Sequence, residues 1–386
     1  MTIPATNMAG IMGSEQTMTA PQSQVAAATA HTANPAAQTG DTAGVPEATS
    51  TRELAGRRFL VRDPYHIGRE KIREFARAVQ NRHGAHHSGE DADRLGYQGP
   101  LAPPTFSSVI GMAATNALLD SVLLEYDLAQ VLQTDQTFEL RRPFLPGDAI
   151  RTQVVIESIR TFGDNDFISV RAEMSDQHDE IVQIASTTIV ARRGAEIDPD
   201  LAKMVQNIFM HSRPKSQAVG ITESGVLQEL DEHTPTGRKA ELRPVHTVPA
   251  FADLAKGDAL PAGSARLTRG DLVNYAGVAG DPNPIHFSDE AAELVGLPTV
   301  VAHGMLTMGL TADYLTSWLG DPTAIETFSV RFSGYVPVGV DAPAVIDFSG
   351  KIKALHEDRR AATVMLGATS QGRKLFGRAI ADVRLS

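Results

Sequence analysis

The chain has no cysteine among its 386 residues. That excludes disulfides, thiolate metal sites and a cysteine nucleophile, and it accords with a reducing cytoplasm as the expected compartment. No apolar run approaches the roughly 18 residues that a membrane helix needs, so no membrane span is expected. Positive charge is in short supply: 35 Lys and Arg stand against 46 Asp and Glu, for a net charge of −11. This disfavours nucleic acid as a general partner. Residues 1–50 hold no Lys or Arg, but 12 Ala and 9 Thr. They lack the charged start and apolar block of a signal peptide and the Arg-rich character of a transit peptide. They bury too little surface to offset ordering entropy, and they read as a disordered tail.

What remains is long enough for two domains. From Leu54 the composition turns globular. Ile72, Phe75, Ala76 and Val79 form one stripe of a helix expected over Arg69–Asn81, with Arg69, Arg73 and Arg77 on another face. An apolar segment follows from Val109 to Leu124. The alternating or β-branched runs Thr137–Phe144, Ile150–Ile159, Phe167–Met174 and Ile181–Ala191 predict strands. Residues 195–240 are weakly patterned, with a short helix expected at Leu201–Met210, and read as an interdomain linker. Beyond it, Thr268 and Asp271 resemble a capping box opening a helix through Ala279. Ser288 caps a short helix, and His303–Leu319 reads as a long apolar one. Strands are expected at Phe328–Phe332, Ala344–Phe348, Ala362–Ala368 and Phe376–Arg384. Helix followed by antiparallel strands suggests an α+β sheet wrapped on one long helix.

The two halves match at an offset of 200 residues without a gap. Arg269 lies over Arg69, Tyr275 over Phe75, His286 over His86, Ser288 over Ser88, Gly296 over Gly96 and Ala302 over Ala102. Phe138–Asp148 resembles Phe328–Asp341 at a changed offset. The departures are informative. Asn81 stands where the second copy has Asp281, and Pro103-Pro104 where it has His303-Gly304. Asparagine cannot act as a carboxylate base, and proline has no N–H to offer a substrate oxygen. The first copy therefore reads as built for shape and binding, the second for chemistry.

In the second copy, Gly280-Asp281-Pro282-Asn283-Pro284-Ile285-His286 puts an acid and an imidazole five residues apart in a loop stiffened by two prolines. Such a pair supplies the parts of general acid–base catalysis. Asn283 is a candidate to orient it. Gly304, opening the long helix, is the candidate oxyanion donor, since helix N-termini present free N–H groups and glycine allows close approach. His303 either contacts substrate or bonds the loop. Taken alone, D-P-N-P reads as a turn. His83, His86 and His87 lack an acidic or cysteine partner at ligand spacing and read as a solvated loop, so no metal is expected there.

Tyr275–Asp289, followed by Ala302-His303-Gly304-Met305-Leu306, closely resembles the hydratase 2 motif of MaoC-like dehydratases and (R)-specific enoyl-CoA hydratases. The first half, with Gly68–Asn81 and Leu101–Phe106, is similar to the A subunit of mycobacterial-type (3R)-hydroxyacyl-ACP dehydratases, and the second half to their catalytic B subunit. The resemblance implies a double hot dog: two tandem hot-dog domains, each an antiparallel sheet around a long helix, pairing as an internal pseudo-dimer. The expected bounds are a tail at 1–50, a non-catalytic domain at 51–194, the linker at 195–240 and a catalytic domain at 241–386. The implied activity is cofactor-free, reversible dehydration of (3R)-hydroxyacyl thioesters to trans-2-enoyl thioesters in fatty-acid or mycolic-acid-type elongation. Asp281 and His286 would be the acid–base pair, with the division of roles left open by the sequence. Acyl carrier protein and other elongation enzymes would be partners, met through Arg69, Arg73 and Arg77 or through Arg141-Arg142. Further homo-oligomerisation stays open. Rival readings are an enoyl-CoA hydratase of fatty acid breakdown, a hot-dog thioesterase and a non-catalytic acyl-binding scaffold.

Overall fold

A computed structural model gives the architecture of residues 51–123, 126, 131–192, 226–231, 237–281 and 283–386. The Ala/Thr-rich tail, the helix expected at Leu201–Met210 and most of the expected linker lie outside these residues. Strands β1 (Arg58–Val61) and β2 (Tyr65–His66) precede helices α1 (Arg69–Ala78), α2 (Gly89–Asp93) and α3 (Ser107–Ser121). Then come β3 (Val131–Leu140), β4 (Ala149–Phe162), β5 (Asn165–Ser175) and β6 (Glu180–Arg192), and the short β7 (Leu227–Leu230) and β8 (Arg238–Lys239). The second half repeats the plan with β9 (Gly263–Leu267), α4 (Arg269–Ala279), α5 (Asp289–Leu294) and α6 (Gly304–Leu319). It closes with β10 (Ile325–Phe332), β11 (Ala344–His356), β12 (Ala361–Ser370), β13 (Arg373–Lys374) and β14 (Phe376–Arg384). No described helix is long and apolar enough to cross a membrane.

Local chemistry sets the helix ends. Thr268 and Asp271 form the expected capping box on α4, and Gly280 closes it at φ 73°, in the left-handed region that favours glycine. Ser288 accepts from the Ala291 N–H to start α5. Helix α6 is buried on nearly every side, and its apolar residues Leu306, Met308, Leu315 and Leu319 fill the second copy's core. Its threonines satisfy themselves: Thr307 donates to the Gly304 carbonyl, Thr311 to Thr307 and Thr316 to Asp313.

The strands join one continuous sheet in the order β7-β1-β4-β5-β6-β3-β10-β14-β12-β11-β9. Outward from the β3–β10 seam the two arms match: β3-β6-β5-β4-β1 on one side, β10-β14-β12-β11-β9 on the other. Across this antiparallel seam Phe138 faces Phe328. These are the residues equated by the sequence repeat, and like meeting like is what a two-fold interface requires. Helices α1 and α4 meet in the same way, with the Phe75 and Tyr275 rings 6.3 Å apart. The double hot dog expected from the sequence is the fold observed.

Three details depart from expectation. Strand β3 begins at Val131 instead of Thr137. Gln133, Asp135 and Gln136 interrupt the apolar alternation, yet the segment is paired by β6 on one side and β10 on the other. Within the expected linker, β7 pairs with β1, and Leu227 packs against the cluster under α3. Arg142, expected as a candidate carrier-docking residue, is instead largely engaged within its own domain: its partly buried guanidinium is paired with Asp148 at 2.7 Å and Asp176 at 2.9 Å.

Candidate active site

The turn after α4 and the start of α6 converge. Asn283 caps a single helical turn over Pro284–His286, its side chain accepting from the Ile285 N–H, while Asp281 accepts from the Asn283 N–H at 3.2 Å. Each polar group in the loop thus orders the next, and the turn delivers His286 inward at 7 % exposure. His286 Nδ1 lies 2.7 Å from the Val301 carbonyl. A carbonyl only accepts, so Nδ1 carries the proton, and the neutral ring keeps its basic lone pair on Nε2. Burial pushes the His286 pKa below the ordinary imidazole value, against the opposing pull of Asp281 and the Val301 bond. The ring is therefore neutral at pH 7, the state a general base requires.

His303 lies elsewhere than a substrate contact would demand. At 1 % exposure it stacks on His286 with ring centres 3.7 Å apart and planes 26° off parallel, and Tyr275 closes over it at 4.8 Å. It backs the His286 ring and does not line the cavity in front of it. Both its nitrogens lack a partner among the described residues, and burial together with the His286 neighbour holds its pKa well below the ordinary value.

One ligand atom each from Asp281, His286 and His303 falls within a 4.8 Å cluster. An imidazole binds metal through a lone pair in the ring plane, and two nearly parallel stacked rings aim those lone pairs side by side. With Nδ1 of His286 committed to Val301, this arrangement fits a metal poorly.

In front of the pair opens a cavity of about 500 Å³, within the range of small-ligand sites. Asp281, Asn283, His286 and Gly304 all line it. Gly304 is the first residue of α6, whose N-terminus has no side-chain cap. Its first-turn N–H groups therefore remain available to a developing negative charge. A Cβ at Gly304 would come within 3.2 Å of the Phe332 ring, so a larger residue would require that ring to shift by a few tenths of an ångström. The arrangement offers a base, a carboxylate and N–H donors around one volume, the set required to move a proton next to a carbonyl.

The cavity is not confined to the second copy. Ser108, Met112, Thr115, Asn116 and Leu119 of α3 and Gln133 and Gln136 of β3 form much of its wall. The sequence reading missed these residues. The available signal was the set of polar positions interrupting otherwise apolar elements.

The first copy's counterpart is closed. His86 Nδ1 also lies 2.7 Å from a carbonyl, that of Leu101, but the residue has 0 % exposure and its Nε2 meets no partner among the described residues. Burial drives its pKa down to about 3.

Comparison with known proteins agrees with this architecture. Residues 53–185 match the "FAS1-like, dehydratase domain region" family, and residues 255–370 match "MaoC like domain". A solved MaoC-like dehydratase is 40 % identical, with a TM-score of 0.77 over 86 % of this chain and 99 % of that one. A UPF0336 protein of Saccharopolyspora erythraea is 40 % identical over 149 residues, covering 39 % of this chain and 95 % of that protein. A Mycobacterium tuberculosis protein whose structure is described as a double hotdog fold aligns at 13 % identity and TM-score 0.54, over 86 % of this chain and 96 % of that one. That last likeness speaks for the fold alone. With a closed imidazole in one half, an open one in the other and a solved relative matched from end to end, this chain belongs to the MaoC-like dehydratase family.

Proposed function

We propose that the protein interconverts (3R)-hydroxyacyl and trans-2-enoyl thioesters, with the acyl group delivered on acyl carrier protein during fatty acid elongation. The observation that carries this reading is the His286 ring, pinned through Nδ1 and open to the cavity beside Asp281. In the dehydrating direction, His286 Nε2 takes the C2 proton. The electron pair moves onto the thioester oxygen, which Gly304 N–H stabilises. As the pair returns, the C2=C3 bond forms and the C3–O bond breaks. The departing hydroxyl takes the proton from His286 and leaves as water. Asp281 accepts a hydrogen bond from the C3 hydroxyl and aims it. Asn283 holds the turn that sets the Asp281–His286 geometry. The first copy contributes binding wall, with one reacting centre per chain.

The test is a chain-length series on purified protein, following enoyl absorbance with carrier-protein and CoA thioesters side by side. Turnover favouring the carrier-protein series supports elongation. Preference for CoA transfers the protein to fatty acid breakdown, and release of free thiol without loss of the double bond identifies a thioesterase.

A further inference from the structure

The wall contributed by the first copy is largely apolar, with Leu132, Phe138 and Ile189 among its residues, but it carries a cluster of buried polar side chains that a plain alkyl chain cannot satisfy. Along α3 the cavity is met by Ser108, Met112, Thr115, Asn116 and Leu119, one face of the helix at three- and four-residue spacing. Asn116 is only 5 % exposed, and its Oδ1 has no hydrogen-bond partner among the described residues. Opposite elements add Gln136, 3 % exposed, and Thr187. Gln136 Oε1 accepts from Gln133 Nε2 at 2.8 Å and from Thr187 Oγ1 at 2.6 Å. Thr187 has thereby given up its only proton and keeps lone pairs to offer. The contrast with α6 is direct, because there each buried threonine satisfies itself on its own helix. A buried amide left without a partner is costly, and a cavity lined for hydrocarbon has no use for one.

We infer that this cavity selects acyl thioesters whose chain carries a hydrogen-bonding group, a hydroxyl, at the depth of Asn116. The inference rests on the proposed thioester chemistry and names the substrate class of the same site. A hydroxyl both donates and accepts, so it satisfies Asn116 in either orientation of the amide. The depth follows from the helix. Ser108, beside the Tyr275 phenol, marks the catalytic end, and Asn116 lies eight residues further along α3, about 12 Å away. A zigzag of carbon single bonds advances about 1.25 Å per bond, which places the hydroxyl roughly ten bonds beyond the reacting carbons. The competing occupant is ordered water, which polar cavities also hold.

The experiment compares two long-chain enoyl thioesters of equal length, one plain and one hydroxylated at that depth, using the full protein and whichever carrier supports turnover. Crotonyl thioester, too short to reach Asn116, serves as the control. Wild type should prefer the hydroxylated chain in kcat/KM by about tenfold or more. Asn116→Leu should bring that ratio close to one, each chain being scored relative to crotonyl turnover by the same variant, and Thr187→Val should narrow it. Equal kcat/KM for the two chains in wild type would mean that the polar wall holds only water, and the inference falls. It also falls if both variants keep the wild-type ratio. Should Asn116→Leu lose crotonyl activity through misfolding, the wild-type and Thr187→Val ratios still decide. Calorimetric binding of the saturated acyl thioesters gives the same comparison without turnover. A wild type that binds the hydroxylated chain selectively yet never turns over would remove the dyad and leave this inference standing.

Discussion

Two histidines, His86 and His286, hold the same pose 200 residues apart. Each directs Nδ1 to the carbonyl of the residue fifteen positions later, at 2.7 Å in both cases. Ring orientation is thus a property of the repeated fold. What separates the two is what lies beyond Nε2. In the second copy it is a cavity with a carboxylate. In the first it is packed protein, with Asn81 in the acid's place and Pro103 in place of the backing ring. The comparison teaches that a duplicated scaffold retains its internal hydrogen bonds while one copy loses the opening and the charge that make an imidazole useful.

The sharpest way to break the comparison is to make the second copy resemble the first. Asp281→Asn installs the first copy's residue and should lower kcat for enoyl hydration by about a thousandfold, and His286→Ala by at least as much, with circular dichroism unchanged. Activity surviving in both variants would overturn the roles assigned here. Next in size is the pH response. The proposed base works as neutral imidazole, and burial lowers the His286 pKa. As pH falls, kcat/KM should therefore hold through the ordinary imidazole range near about 6.5 and decline only below it. An acid limb at or above that value counts against His286 as the base.

Smaller effects belong to the first copy. His86→Ala should leave kcat unchanged and cost about 2 kcal/mol of stability, from the void and the orphaned Leu101 carbonyl. Urea denaturation measures it. His86 also adds a pH dependence. Between about 6.5 and its folded value of about 3, the unfolded chain binds a proton that the folded one refuses, so stability falls as pH falls through that window. His86→Ala should flatten this slope, and a slope identical to wild type would show that the ring is protonated in place. The smallest expected effect is none: dialysis against a chelator should leave turnover intact, because the stacked rings aim poorly at an ion. Activity lost to the chelator and restored by added zinc would reverse that reading.

Much of the fold was legible because short-range rules were obeyed. The Thr268–Asp271 box, Gly280 at the end of α4 and the β-branched runs of β4, β5 and β6 each announce a local structure that the tertiary context leaves in place. Asp281 and His286 were legible through the internal repeat, which isolates them by difference. His303 shows the limit. The motif places it beside Gly304 but cannot tell a ring lining the cavity from one stacked behind another ring. Gln133, Gln136 and Asn116 were illegible for a physical reason: they face a space that exists only once α3, β3 and β6 have packed around it. The same polar side chains hid the start of β3, because a strand that turns polar side chains into a cavity breaks the alternation by which strands are recognised.

The seam between β3 and β10 bears on how the molecule is made. Phe138 meets Phe328 only after the residues between them have been synthesised, which takes about 10 to 40 s at ordinary translation rates. During that interval β3 is a bare edge, offering unpaired N–H and carbonyl groups to any neighbouring nascent chain, including another copy of the same first half. Thr137, Asp135 and Gln136 along that edge make it polar, a safeguard for a strand that must wait for its partner.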